Sequence, residues 1–199
     1  MDKAVRSLQK NGFEVKVFNT KEQAAAAALL EEISLDETVG LGGSITLQDL
    51  KIYDLLTERG NSVFWHWRAE DKSSALKNAA TSKVYITSSN AVTEDGKLIN
   101  KDGTGNRVAS MFYGHERVYI VAGKNKLVRN YGDAIYRIEH IAAPLNAKRL
   151  NLTTPCVFTG VCSDCDSLQR ICNVETVVNK KPGGVGKIII YLVNEELGY

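Results

Sequence analysis

Residues 39–47 read Val39-Gly40-Leu41-Gly42-Gly43-Ser44-Ile45-Thr46-Leu47. Val39 to Leu41 make a short buried strand, and Gly42-Gly43-Ser44 stop it. A helix then starts at Thr46 and runs through Leu50. A strand that runs through a glycine-rich loop into a helix is the building unit of α/β proteins. The loop lacks the Gly-Lys-Ser/Thr of a P-loop. Its glycines at 40, 42 and 43 also miss the third glycine of the dinucleotide fingerprint, which argues against a nicotinamide cofactor.

Outward from this unit the same alternation continues. Toward the N-terminus lie a helix over 3–10 closed by Asn11-Gly12, a strand over 13–18, and a helix to about Ile33. Thr20 is the expected N-cap of that helix, with Gln23 as its capping-box partner. Toward the C-terminus the pattern predicts a helix over 53–59, a strand over 62–67, a helix over 73–80 and a strand over 84–87. Asp95-Gly96 marks a hairpin turn, and the strand over 97–100 returns from it. A helix over 107–112, a strand over 117–122 and a long helix over 126–150, broken near Pro144, follow. Strands over 174–178 and 187–193 close the chain. The expectation is one α/β domain over 1–199, with a mostly parallel sheet flanked by helices and a cysteine-rich loop segment at about 151–186.

With 44% hydrophobic and 24% charged residues, the chain has the composition of a globular protein. A formal net charge of +2 argues against nucleic acid as a partner. The N-terminus shows no signal peptide, and runs such as AAAAALL and IIIYLV are too short to cross a bilayer. A cytoplasmic protein with no membrane partner is therefore expected.

In open parallel sheets the ligand crevice lies beyond the C-terminal ends of the strands. Three loops should meet there. The first offers Gly42, Gly43, Ser44 and Thr46, with close backbone approach and hydroxyl donors. The second ends in Asn90. The third is Gly103-Thr104-Gly105-Asn106-Arg107, where the guanidinium suits a phosphate or carboxylate. These features point to a small anionic metabolite. Plain N-caps and tight turns are the alternative reading of the same residues. Glu94 and Asp102 flank the expected crevice as candidate acid and base, against the ordinary role of solvated loop carboxylates. His66, His115 and His140 are dispersed, and a structural role is expected for His66.

The four cysteines of the chain all fall in CVFTGVCSDCDSLQRIC, as Cys156, Cys162, Cys165 and Cys172. Four clustered thiols in a reducing compartment read as ligands or redox groups before disulfides. An iron–sulfur cluster is the first reading. Structural zinc is the alternative, and thiol redox chemistry or plain buried cysteines are the third. Asp164 and Asp166 beside Cys165 disfavour a strongly acidified thiol.

The segment 39–47 resembles the LUD domain family, named for lactate utilisation. So do SSNAVTEDGKLINKDGTGNRVA (88–109), IAAPLNAKRL (141–150) and the leading helix with LQKNGFEVKVF (8–18). The cysteine segment is similar to that of a short single-domain branch, without the ferredoxin-like region of larger lactate-utilisation proteins. The resemblance implies a fold similar to CoA transferases, ribose-5-phosphate isomerase and glucosamine-6-phosphate deaminase. Asp95, Gly96, Leu98, Ile99, Asn100, Lys101, Gly103 and Thr104 also resemble part of the sugar-phosphate-isomerase pattern. It further implies a part in oxidising lactate to pyruvate beside iron–sulfur redox partner proteins. Two other functions stay open: an isomerase- or transferase-like enzyme on a sugar phosphate or acyl-CoA, and a non-catalytic, zinc-stapled binding subunit.

Overall fold

The computed structural model describes residues 1–24 and 30–199. Its strands are β1 (Glu14–Phe18), β2 (Thr38–Leu41), β3 (Ser62–Phe64), β4 (Val84–Thr87), β5 (Ala91–Thr93), β6 (Leu98–Asp102), β7 (Arg117–Gly123), β8 (Leu127–Val128), β9 (Val174–Val178) and β10 (Lys187–Val193). The helices are α1 (Asp2–Lys10), α2 (Leu30–Glu32), α3 (Ile45–Asp49), α4 (Ile52–Arg59), α5 (Lys72–Ala80), α6 (Asn106–Phe112), α7 (Tyr131–Arg137), α8 (Ala143–Arg149) and α9 (Pro155–Thr159).

Six strands form a fully parallel sheet in the order β1-β10-β7-β4-β2-β3. The last strand in the chain, β10, sits inside the sheet between β1 and β7. Its sequence KIIIYLV explains the position, because a central parallel strand is covered on both faces. Ile189, Tyr191 and Val193 join the core on one face, with Val39, Leu41, Leu47, Ile86 and Tyr119. Ile188, Ile190 and Leu192 join the other, with Leu8, Phe13, Tyr85, Val118 and Ile120. The period of two along a strand sorts alternate residues into these two layers.

A second, mixed sheet in the order β8-β5-β6-β9 stands beside the first. The β5–β6 hairpin turns at Asp95-Gly96 as expected, with Gly96 at φ +81°. The strand over 174–178 also forms, but it pairs antiparallel with β6. The small sheet was not anticipated, because nothing local in VETVV names its partner.

Three expected elements differ. The strand over 62–67 stops at Phe64, since Arg68 N–H bonds back to the Trp65 carbonyl and turns the chain. The helix expected from Lys126 starts at Tyr131, where the Asn130 side chain accepts from Asp133 N–H; residues 124–128 are a short 3₁₀ turn and β8. That helix is not broken at Pro144. A π-turn over Ile138–Ala142 inserts the extra residue that accommodates a ring without an N–H. The cysteine segment also carries a short helix, α9, which holds Cys156. At Thr20, Gln23 N–H bonds to the threonine hydroxyl, and the glutamine side chain accepts from Asn19 N–H. The rest of the helix expected there falls on 25–29, outside the described residues.

Among the described residues no helix is long and apolar enough to cross a membrane.

Candidate functional site

The C-terminal ends of the parallel strands open onto one cavity of about 250 Å³. Gly43, Ser44 and Thr46 enter it after β2, and Ser88, Ser89 and Asn90 after β4. Gly103, Thr104, Asn106 and Arg107 enter after β6. The three expected loops therefore meet. Three further strand ends contribute residues that the sequence reading did not place in the crevice. His66 and Trp67 follow β3, Lys126 follows β7, and Tyr199 follows β10. Arg149, at the end of α8, closes the rim.

Gly42 is not among the lining residues, and its need for glycine is one of packing. A Cβ there would stand 2.6 Å from Thr87 Oγ1 and 3.1 Å from the Tyr85 hydroxyl. Gly42→Ala is expected to cost about 1–3 kcal/mol through overpacking, read as a lower urea midpoint with an unchanged slope. A midpoint equal to the parent protein's would contradict this placement. Gly105 also lies off the cavity; at φ +90° it turns the chain into α6.

The structure gives Arg107 a different task from the one expected. Its Nε–H bonds Asp102 Oδ2 at 3.0 Å. One terminal nitrogen donates to the Ser88 carbonyl at 3.0 Å and Asn100 Oδ1 at 2.9 Å. The other donates to Asn90 Oδ1 at 3.2 Å and the Lys101 carbonyl at 2.9 Å. All five N–H donors of a guanidinium are thus committed, and none remains for a ligand. Arg107 pins the second and third loops together. Asp102 is equally occupied: its other oxygen accepts from the backbone N–H groups of Thr104 and Gly105. It shapes the loop, and no free oxygen is presented as a base. Glu94 lies outside the crevice altogether, exposed at the hairpin turn and paired with Lys3 at 2.8 Å.

Arg149 has the freedom that Arg107 lacks. Its guanidinium carbon sits 4.4 Å from the Trp67 ring centroid. Nε bonds the Tyr199 hydroxyl at 2.8 Å, and one terminal nitrogen bonds Asn146. The remaining N–H groups have no partner among the described residues. Trp67 in turn stacks on Trp65 at 5.2 Å and 23°, so the arginine rests on a firm aromatic base. His66 lies beside it. Burial, helped by Lys72 and Arg149 and opposed by Asp102, lowers its pKa below the usual histidine value. It lines the crevice instead of serving only the core. His115 is the structural histidine, stacked on Tyr85 at 4.9 Å with Nδ1 2.7 Å from the Ser82 carbonyl. His140 stacks on Tyr136, away from the cavity.

Lys126 is the least expected member. It is 3% exposed, and its ammonium nitrogen bonds Thr46 Oγ1 at 2.8 Å and Ser88 Oγ at 2.9 Å. Burial, reinforced by Arg137 and Arg107 and opposed by Asp49, pulls its pKa down to about 7. Its signal was available in the sequence. Gly123-Lys124-Asn125-Lys126 directly follows the strand RVYIVA, so the rule that located the other loops applies here too.

The four cysteines are free thiols, each half-buried, and all four line one small cavity with Thr154 and Arg170. Arg170 ties this segment together through the carbonyls of Cys165 and Cys172 and an ion pair with Asp164 at 2.7 Å. Cys162 N–H bonds the Glu139 carbonyl on the π-turn. Burial pushes the Cys172 thiol pKa up. The donor set fits a thiophilic metal or cluster in kind and number. No group of three or more His, Cys, Asp or Glu among the described residues is placed to hold a metal ion. The cysteine cavity and the crevice are neighbours. Ala143, Ile171 and Cys172 line both.

A family model described as "LUD domain" matches residues 1–193. A solved structure titled as a DUF162 family protein from Deinococcus radiodurans superposes with a TM-score of 0.59 at 10% identity. The match covers 96% of this chain and 94% of that one. At that identity the likeness is one of fold. No curated relative matches this chain.

Proposed function

This chain belongs to the LUD domain family, and on that premise we propose that it binds a small carboxylate, lactate or a related organic acid, beside a redox group held by its four cysteines. The observation that carries the reading is the shared wall: Cys172 borders both the polar crevice and the thiol cavity. Cys156, Cys162, Cys165 and Cys172 would hold the group, with an iron–sulfur cluster as the first reading and zinc as the alternative. A cluster there would supply one-electron transfer to iron–sulfur partner proteins.

This chain's own residues account for the acid. Arg149 offers its unpaired N–H groups to the carboxylate, and Lys126 lines the same crevice. Trp67, stacked on the buried Trp65, walls one side. A cavity of about 250 Å³ is below the usual range for drug-sized ligands, which favours a small acid over acyl-CoA. The commitment of every Arg107 donor also weighs against the phosphate site first expected there.

Arg149→Ala is expected to weaken lactate or pyruvate binding about tenfold, the loss of one charge-assisted contact. Stability should stay within about 0.5 kcal/mol, as for other exposed positions. Calorimetric titration beside a thermal melt reads both, and unchanged affinity would remove Arg149 from the site. The redox half of the reading is tested by iron and acid-labile sulfide content after anaerobic purification. Iron with matching sulfide supports the cluster. Zinc alone would leave the cysteines as a structural staple.

A further inference from the structure

The fold buries one amine without giving it an acid. Lys126 Nζ has two hydrogen-bond partners among the described residues, the hydroxyls of Thr46 and Ser88. An ammonium carries three N–H donors, so one would stay unpaired in a buried position, at a real cost. The neutral amine carries two. Both are satisfied by those hydroxyls, and its lone pair is left free. The surroundings agree with the neutral form, because Arg107 from α6 and Arg137 from α7 face the amine with like charge. Asp49 from α3 is the acidic group nearby, and its carboxylate is engaged by Gly198 N–H at 2.9 Å. Lys126 lines the crevice together with the two residues that hold its amine, Thr46 and Ser88.

We infer that Lys126 is a nucleophile that condenses with the carbonyl carbon of a small 2-oxo acid bound in the crevice. This rests on the carboxylate-binding reading above. The nitrogen lone pair forms the new C–N bond, and the carbonyl π pair moves to oxygen. One proton passes from nitrogen to that oxygen, with the Thr46 and Ser88 hydroxyls placed to relay it, giving a carbinolamine. The remaining N–H proton then passes to the hydroxyl by the same relay, and it leaves as water as the nitrogen lone pair closes the C=N bond. No oxidant or reductant is consumed. An activated lysine of this kind needs an environment that keeps it unprotonated near neutral pH, which burial among like charges provides.

The test uses the full chain, pyruvate and sodium cyanoborohydride, followed by intact mass and peptide mapping. The expected result is one adduct per chain on Lys126, with a mass gain equal to pyruvic acid less one oxygen. Its initial rate should rise from about pH 6 to about pH 8 as the amine loses its proton. Lys126→Met should abolish the adduct, with circular dichroism confirming its fold. The wild-type peptide map assigns the position even if that variant does not fold. Adducts confined to exposed lysines would overturn the inference. So would calorimetric binding of pyruvate with no trapped adduct, and that result leaves the carboxylate reading standing. Absence of both binding and adduct overturns the two together.

Discussion

Arg107→Ala should destabilise the protein by about 3–5 kcal/mol, the range for breaking a buried charged pair by removing one partner. The cost has several sources. Asp102 would be left at 9% exposure with its guanidinium partner gone. The carbonyls of Ser88 and Lys101 and the amide oxygens of Asn90 and Asn100 would each lose a donor. The second and third loops would lose the group that joins them. Arg107→Lys should recover little, because one ammonium cannot reach five acceptors spread around a planar fork. Urea unfolding reads the effect directly. A loss below about 1 kcal/mol, with binding abolished, would return Arg107 to the ligand-binding role that the sequence suggested.

The second large effect lies in the cysteine cavity. Cys165→Ser should lower cluster affinity by more than about a hundredfold, exceeding what outer-shell changes cost. A serine hydroxyl is a hard, scarcely ionised donor in place of a soft thiolate. Cys162→Ser, on the same turn of chain, should behave alike. Both sit in the stretch 161–173, which contains neither helix nor strand, so the sheet should survive and the melting of the apo-protein should change little. Iron and sulfide per chain, with the visible spectrum, measure the loss. Full iron retention in either variant would remove that cysteine from the ligand set.

The sequence made the sheet legible because central parallel strands must be apolar on both faces, as VGL, VYIT, RVYIVAG and KIIIYLV are. The strand-end rule then located the loops after β2 and β4 without any knowledge of the sheet order, while the third loop follows β6 of the second, mixed sheet. The same rule reached Lys126, but the residue was absorbed into a helix that starts five residues later, at Tyr131. Arg149 had no such signal. Its place at the rim depends on the π-turn carrying the helix uninterrupted past Pro144, and on Trp67 lying beneath it. The roles of Arg107 and Asp102 depended on counting donors and acceptors, which sequence spacing does not encode. Glu94 was drawn toward the crevice by its nearness in sequence to Asn90, yet β5 carries it to the opposite end of the hairpin, against Lys3.

Titrating lactate and pyruvate into anaerobically purified, iron-loaded protein, with the visible spectrum recorded at each step, tests the union of crevice and cysteine cavity most directly. The shared wall at Cys172 predicts a saturable change in the cluster absorption, displaced to higher concentration in Arg149→Ala. Calorimetric binding of either acid with an unmoved cluster spectrum would contradict it, as would a protein that holds no iron after anaerobic reconstitution.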